Sequence, residues 1–334
     1  MKINLYLWFV LFLSLAACTS APKQEKGTLA GRVICLDAGH GGTAQIDSYR
    51  VGPTGEREEW INLRVALLLQ KMLEEKGAKV LMTRTADINV PFDDRVKLAK
   101  ENKAEVFLSI HHNATADSTV NFPIIYFHGS ASENVGSVVL AKHVGQALVQ
   151  NFYPKATPVS VVSDHTIFPT AGAKVLRDTY GIPGVIAEAS FFTNPTEEER
   201  LKQESHNRKE ALAYVAALEA FFSKPVPAIQ PKKSIVELPP FRAAQEAERM
   251  NETARRWRQD FEEGEKLLKN ETDTTALRQA YELFTRSVRS FPDSYLARQS
   301  HQYRAAILQK LGKKEEAQQE ATRAKEYYVR LQEE

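Results

Sequence analysis

Short apolar runs alternate with longer segments of helical periodicity over the first two thirds of the chain. Strand-like runs rich in Val, Ile and Leu occur at residues 32–36, 79–83, 106–110, 124–127 and 184–189. Helical spacing of apolar residues occurs at 60–75, 93–101, 136–150 and 198–222. This alternation predicts an α/β fold, with a mostly parallel or mixed sheet that carries helices on both faces.

Prolines mark the end of this pattern. Five of them lie within residues 224–240, at positions 225, 227, 231, 239 and 240, and prolines of this density stiffen a linker. Residues 241–334 contain no strand-like run and are rich in Ala, Glu, Arg, Gln and Leu, which predicts an all-α C-terminal tail. We therefore predict an α/β domain at 31–223, a linker at 224–240 and a tail at 241–334. A stiff linker predicts few contacts between the two parts, so the domain should stay folded without the tail.

Two stretches of the tail resemble tetratricopeptide helix pairs. The first contains Gly264, Leu267, Ala280, Phe284 and Pro292, and the looser second contains Tyr303, Leu308, Gly312 and Ala317. The 34-residue period of such repeats is only roughly kept, and fewer than three repeats are marginal alone. A protein-binding repeat and a generic helical hairpin that packs on the domain both fit this pattern.

The N-terminus resembles the export signal of a bacterial lipoprotein. Lys2 precedes an apolar run at residues 5–17, which is shorter than the roughly 20 residues that a membrane-spanning helix needs. The run ends in Leu-Ala-Ala before Cys18, so residues 1–18 are predicted as signal and lipidation site and 19–30 as a tether. The resemblance implies cleavage before Cys18, a diacylglycerol on its thiol, and attachment to the envelope membrane on its periplasmic face. In a cell with two membranes, Thr19 at the next position would favour the outer one. An ordinary secretory signal, cut elsewhere among the small residues, is the alternative.

The cysteine count agrees with a lipid on Cys18. Cys35 is the only other cysteine, and it lies in an apolar run where it should behave as a small buried hydrophobe. The charge is also informative, because 44 basic and 42 acidic residues leave a formal net charge of only +2. We find no basic stripe of the kind that nucleic-acid binding proteins carry, which excludes that class.

Four side chains lie near the ends of the predicted elements. His40 follows the first strand, Glu58 lies in the loop or first turn before a helix, His111 ends the 106–110 strand, and Glu188 lies in the last strand. Because the carboxyl ends of parallel strands share one edge of a sheet, these groups should meet there. Two histidines and one carboxylate form the ligand set of a catalytic zinc, and a second carboxylate can serve as general base.

Each residue also has a simpler interpretation. His40 stands in a glycine-rich turn, and an acidic Glu58 suits a helix N-terminus through the helix dipole alone. His111 could be a hydrogen-bonded histidine at a strand end, with His112 the exposed one. Glu188 is harder to explain in this way, because a lone carboxylate in an apolar strand is costly to bury.

Four stretches resemble, in order, the motifs of the zinc-dependent N-acetylmuramoyl-L-alanine amidases of type 3. They are ICLDAGHGG at 34–42, GEREEWINL at 55–63, LSIHHNA at 108–114 and VIAEASFFTNP at 185–195. The resemblance extends over residues 32–222. It implies that His40, Glu58 and His111 bind Zn²⁺ and that Glu188 is the catalytic carboxylate.

The same resemblance makes Asp37 and Asn113 candidates for orienting the ligands from behind. The family also implies the substrate, peptidoglycan, and the bond that is hydrolysed, the amide between N-acetylmuramic acid and L-alanine. Zinc would polarise the carbonyl and acidify a water, and Glu188 would carry the proton from that water to the leaving amine. A zinc peptidase acting on stem peptides and a non-catalytic wall-binding scaffold are the alternatives. The segment 43–51 and the tripeptide at 121–123 depart from the family pattern and leave the substrate preference open.

Overall fold

The fold is built on one mixed sheet of seven strands. The computed structural model describes residues 27–43, 50–153, 156–231, 238–243, 251–269 and 273–331. The strands are β1 (Val33–Ala38), β2 (Lys79–Met82), β3 (Val106–Asn113), β4 (Ile124–Phe127), β5 (Ser160–Ser163), β6 (Gly184–Phe191) and β7 (Tyr328–Val329). They lie in the order β2-β1-β3-β6-β4-β5-β7. Strands β2, β1, β3 and β6 are parallel neighbours, whereas β4 is antiparallel to β6, parallel to β5, and β7 is antiparallel to β5.

Helices cover both faces of this sheet. In the first domain they are α1 (Glu58–Glu75), α2 (Phe92–Glu101), α3 (Val135–Asn151), α4 (Lys174–Asp178), α5 (Pro195–Leu201) and α6 (Glu204–Phe222), with a 3₁₀ turn at Asp164–Thr166. In the tail they are α7 (Glu252–Arg255), α8 (Trp257–Leu268), α9 (Thr274–Ser290), α10 (Ala297–Lys310) and α11 (Lys314–Glu326). The predicted α/β class, a mixed sheet followed by a helical tail, is confirmed.

Alternation along the strands produces two apolar cores. In β1, Ile34 and Leu36 face the core beneath α1, α3 and α6, whereas Cys35 between them faces the opposite core. Cys35 is fully buried and free, as predicted. Burial, together with the nearby Asp37 carboxylate, raises the pKa of its thiol to about 12, so the thiol is unreactive.

The tail packs against the sheet and shares its second core. Trp257 and Phe291 from the tail belong to the same buried cluster as Phe122 and Phe191 from the first domain. The ring centroids of Phe122 and Phe291 are 5.8 Å apart, and the Trp257 indole donates a 3.3 Å hydrogen bond to Asp117. The prediction of few contacts between the two parts is therefore wrong. Prolines indicate a stiff linker, but they do not reveal which surfaces pack across it. Because the two parts share a core, the first domain should not stay folded once the tail is removed.

The tail also contributes a strand that the sequence did not predict. In β7, Tyr328 pairs with Val162 and Val329 pairs with Val161, so the chain end covers the outer edge of β5. The prediction of an all-α tail is thus wrong at these two residues. Elsewhere the tail is helical, and the ring of Phe284 lies where a side chain on Gly264 would meet it at 2.9 Å. Assignment of these helices to tetratricopeptide repeats stays a prediction.

The predicted N-terminal signal lies outside the described residues, and with it Cys18 and most of the predicted tether. In the part of the chain that the structure does describe, no helix combines the length and apolarity needed to cross a membrane.

Substitution of Trp257 tests the shared core. Trp257→Ala should lower the free energy of unfolding by about 3–5 kcal/mol, because the indole is only 1% exposed and its removal leaves a cavity. Trp60→Ala is the matched control, since Trp60 is 38% exposed, and it should cost less than about 1 kcal/mol. Urea denaturation followed by circular dichroism gives both values. Equal losses for the two variants would contradict the shared core.

Candidate metal centre

The predicted residues lie at one edge of the sheet. His40 follows β1, Glu58 is the first residue of α1, and His111 lies near the end of β3. Glu188, in β6, is the direct neighbour of His111 across the β3–β6 pair. Because β1, β3 and β6 are consecutive parallel strands, their carboxyl ends bring these four residues to the same side of the molecule.

Two of the four side chains, His40 and His111, converge on one carboxylate oxygen of a third, Glu58. Oε1 of Glu58 lies 3.1 Å from Nε2 of His40 and 2.9 Å from Nδ1 of His111. One ligand atom from each of the three residues lies within 4.8 Å of the others. The two imidazole rings stand nearly perpendicular, at 85°, with centroids 4.6 Å apart. Two nitrogen donors and one oxygen donor therefore surround one small volume, which is an arrangement that can hold a metal ion.

The electrostatics favour the protonation states that metal binding needs. Burial opposes ionisation of Glu58, but His40 and His111 outweigh it and hold the pKa of this carboxyl well below its usual range. Burial lowers the pKa of His40, although Glu58 acts in the opposite direction. An ionised carboxylate and a neutral imidazole are the forms in which these groups bind metals.

Glycine at position 39 makes room for the His111 ring. A Cβ atom on Gly39 would lie 2.3 Å from Cε1 and Nε2 of that ring, which is far inside van der Waals contact. The loop then turns sharply, with positive φ angles at His40, Gly41 and Gly42 of 61°, 121° and 65°. A non-glycine residue such as His40 adopts this conformation only where surrounding contacts enforce it.

Two buried arginines provide those contacts. Arg84 donates to the carbonyl oxygens of Ala38 (2.7 Å) and Gly39 (2.9 Å), and Arg95 donates to those of Ala38 (3.0 Å) and His40 (2.7 Å). Each guanidinium thus satisfies carbonyls that the turn leaves without partners in the sheet. The two arginines therefore hold the loop that carries His40 through its backbone carbonyl oxygens.

The predicted roles of Asp37 and Asn113 in orienting the ligands are not supported by their contacts. Asp37 accepts hydrogen bonds from Arg95 (2.6 Å), Thr83 (2.7 Å) and Ser109 (2.7 Å). The side chain of Asn113 accepts from the backbone of Ala114 and shapes the following loop. Among the described residues, no hydrogen bond joins either side chain to a ligand. Asp37 instead acts on the ligand loop indirectly. It binds Arg95, which in turn donates to the carbonyl oxygen of His40.

The residue that does support the ligands is Asn62, which the sequence analysis did not single out. Its amide nitrogen donates to Glu58 Oε1 at 3.3 Å and to the Gly39 carbonyl at 3.2 Å. Its amide oxygen lies 2.9 Å from Nδ1 of His112. The sequence spacing could have indicated this contact. Residues four apart on a helix share a face, and Asn62 follows Glu58 by four positions.

His112 is buried, not exposed. It is 1% exposed, and its Nε2 lies 3.0 Å from Oε2 of Glu210 on α6. Burial opposes protonation of this ring, but Glu210 outweighs it and raises the pKa of His112. Consecutive strand residues point to opposite faces, so His112 points into the first core while His111 faces Glu58.

A second group of metal-type ligands, His128, Asp164 and His165, lies at the ends of β4 and β5. Asp164 accepts hydrogen bonds from the backbone of Ala173 at 2.7 Å and of Gly129 at 3.4 Å, and it pairs with His128 at 2.9 Å. These contacts join two loops. We therefore assign the group a structural role, which is to hold these loops together.

Substitution of Gly39 tests the arrangement of the centre. In Gly39→Ala the new methyl group displaces the His111 ring from Glu58, so bound metal should fall at least about tenfold. Overpacking should cost stability by only about 1–3 kcal/mol, which leaves a folded chain to assay. Gly27→Ala is the control, since a Cβ there meets nothing within 4 Å. Elemental analysis of dialysed protein gives the metal content, and full metal in Gly39→Ala would refute the geometry.

Comparisons with known proteins identify the family of this chain. The profile of the N-acetylmuramoyl-L-alanine amidase family matches residues 34–220, more than half of the chain. The probable cell wall amidase LytH of Staphylococcus epidermidis is 31% identical over 195 residues, which cover 58% of this chain and 60% of that protein. LytH of Staphylococcus aureus is 30% identical over 200 residues, covering 60% and 62%. This chain thus matches about three fifths of the length of these relatives.

Among solved structures, an N-acetylmuramoyl-L-alanine amidase from Clostridium difficile is similar to this chain. It has a TM-score of 0.51 and 26% identity over 58% of this chain and 98% of its own. The region that matches the family profile contains His40, Glu58, His111 and Glu188. The chain belongs to the N-acetylmuramoyl-L-alanine amidase family.

Proposed function

We propose that this protein is a zinc-dependent N-acetylmuramoyl-L-alanine amidase that acts on peptidoglycan in the bacterial cell envelope. The observation that carries the proposal is the convergence of His40 and His111 on Glu58 in a chain of this family. The profile match covers the whole ligand set, because it begins before His40 and ends beyond Glu188.

The donor set fits zinc. Two imidazole nitrogens and one carboxylate oxygen are a common protein ligand set of catalytic zinc, which keeps a further position open. Oxygen-only sites of the kind that Mg²⁺ and Ca²⁺ prefer would not use two histidines. His40, Glu58 and His111 would hold the ion, and Asn62 would keep the Glu58 carboxylate in place.

Zinc bound here supplies Lewis acidity, which polarises the scissile carbonyl and acidifies a water molecule. Glu188 would accept a proton as a water oxygen adds to the carbonyl carbon, and it would deliver that proton to the amine of L-alanine as the C–N bond breaks. Its place beside His111 in the neighbouring strand puts its carboxylate on the sheet face where His111 lies. The remaining residues of the centre orient these groups.

A cavity of about 450 Å³ next to His40 is the proposed substrate cleft. Arg50, Phe92 and Lys174 are among the residues that line it. Its volume suits a small ligand or a short segment of a polymer. The exposed Phe92 ring offers an apolar surface to a substrate. Arg50 lies between this cleft and the metal centre, because its Nε atom is 3.6 Å from Oε2 of Glu58.

The products of a peptidoglycan digest test the reaction. Wild-type protein loaded with zinc should release intact stem peptides and leave free lactyl groups on muramic acid, as mass spectrometry of the digest would show. Release of shortened stem peptides would instead identify a peptidase. Binding without any release would identify a wall-binding protein.

Two glutamate variants separate the catalytic group from the ligand. Glu188→Gln should keep its zinc and lower turnover by about 10²–10⁴, because an amide cannot accept a proton at neutral pH. Glu58→Gln should lose zinc, because it replaces a charged ligand with a neutral one. Zinc content and muropeptide release are measured on both variants. The roles are reversed if Glu188→Gln loses its metal while Glu58→Gln keeps metal and activity.

We further propose that a lipid on Cys18 anchors the protein to the membrane that faces the periplasm. Support comes from the apolar run that ends at this cysteine and from relatives named as cell wall amidases. Wild-type protein should then sediment with membranes, whereas Cys18→Ala should be released, since stable anchoring requires the acyl chains. Fractionation and intact mass decide the matter. Unmodified Cys18 in wild-type protein that stays in the soluble fraction would contradict the anchor.

A further inference from the structure

A cavity of about 430 Å³ lies between the tail and the far edge of the sheet. Residues of β5 and β7 form one wall, and the start of α10 with its preceding loop forms another. Two strands, β6 and β4, separate this cavity from the ligand-bearing strands β1 and β3. It is therefore distinct from the candidate metal centre. No aspartate or glutamate is among the described residues that line it, whereas Arg298 and Arg330 both do.

Two polar donors that line this cavity have no hydrogen-bond partner in the described part of the chain. Ser160 is 3% exposed, and its hydroxyl oxygen makes no hydrogen bond to any described residue. The Nε atom of Arg298 is also buried, and it too is unpaired among the described residues. Buried polar groups are normally paired, so two orphan donors beside one cavity indicate a missing acceptor.

The charge of the cavity points in the same direction. Burial and the neighbouring Arg330 lower the pKa of Arg298, because both disfavour the charged form of its guanidinium group. In the described residues neither arginine has an ion-pair partner. Arg298 also lies in the first turn of α10, a helix of 14 residues whose N-terminus carries a partial positive charge. An anion in the cavity would relieve this repulsion and satisfy the orphan donors.

The remaining lining distinguishes among anions. Val161, Val329 and Leu331 supply apolar surface, and Tyr295 and Tyr303 supply aromatic rings. A small inorganic anion would use only the arginines. A peptide that ends in a carboxylate would place the carboxylate on the planar guanidinium groups and its side chains on the apolar surface.

We propose that this cavity binds the C-terminal carboxylate of a short peptide, held by Arg298, Arg330 and Ser160 at the joint between the tail and the sheet. The site does not depend on the proposed amidase activity. It uses residues from both the first domain and the tail, so it exists only when the two are packed together.

Calorimetric titration of the full-length protein tests the ligand chemistry. The probes are N-acetyl-trialanine with a free carboxylate, the same peptide as its C-terminal amide, and inorganic phosphate. The carboxylate form should bind, and the amide should bind at least about tenfold more weakly, because it lacks the charge that the arginines recognise. Phosphate should bind more weakly than the peptide. Equal affinity for the carboxylate and the amide, or phosphate affinity that matches the peptide's, would overturn the proposal.

Arginine variants locate the binding site. Arg298→Ala should reduce affinity for the free peptide at least about tenfold. Arg278→Ala on α9 is the matched control, because it removes an exposed arginine that does not line the cavity, and its affinity should equal that of wild type. A carboxylate can also bind a zinc ion, and binding that survives in Arg298→Ala would assign the peptide to that centre and refute the cavity.

Thermal unfolding separates a binding role from a structural one. Without peptide, Arg298→Ala should melt no lower than wild type, because the substitution removes a half-buried arginine whose buried Nε atom has no partner among the described residues. Excess carboxylate peptide should raise the melting temperature of wild type but not that of Arg298→Ala. A variant that melts clearly lower without peptide would show that Arg298 stabilises the fold itself, which contradicts the proposal.

Discussion

The convergence of two imidazoles on the Glu58 carboxylate depends on where two parallel strands, β1 and β3, end. His40 leaves β1, His111 is carried by β3, and Glu58 begins the helix that returns over them. Because Ala38 pairs with Ile110 in the β1–β3 ladder, a slip of one residue would turn His111 away from the centre. Register is in turn fixed by the alternation of buried side chains, so the core and the site are specified by the same pattern.

The backbone of the ligand loop is held by a buried charged network and not by the ligands themselves. Asp37 and Arg95 form a 2.6 Å ion pair in which both side chains are almost fully buried. Such a pair is stabilising only when its remaining hydrogen-bonding groups are satisfied. Here Thr83 and Ser109 donate to the carboxylate, and the guanidinium donates to the carbonyls of the loop. The strained turn at His40 is therefore offset by contacts outside the metal centre, which allows the imidazole to be positioned before a metal binds.

Much of this could be predicted from the sequence, because the signals are local. Apolar runs in β1 and β3, helical spacing in α1, and the order of the four candidate site residues along the chain were enough to predict that these residues meet at one sheet edge. The sequence could not distinguish His111 from His112 by pattern alone, since both follow the same apolar run. Their separation comes from partners on other elements, Glu58 on α1 and Glu210 on α6, which no local pattern reveals.

What escaped prediction depends on contacts between distant segments. The strand β7 has only two residues and no strand signal of its own, and it exists because β5 offers an unpaired edge. The spacing around Trp257 predicts an amphipathic helix, but it does not reveal that Trp257 packs in a cluster with the distant residues Phe122 and Phe191. The tail thereby covers both an exposed sheet edge and an open apolar face, which are two features that would otherwise favour aggregation. A cavity remains where the tail and the sheet meet. The two arginines that line it come from the tail, whereas the unpaired Ser160 hydroxyl comes from the sheet. Packing of the tail thus both completes the fold and creates a polar pocket that neither part could form alone.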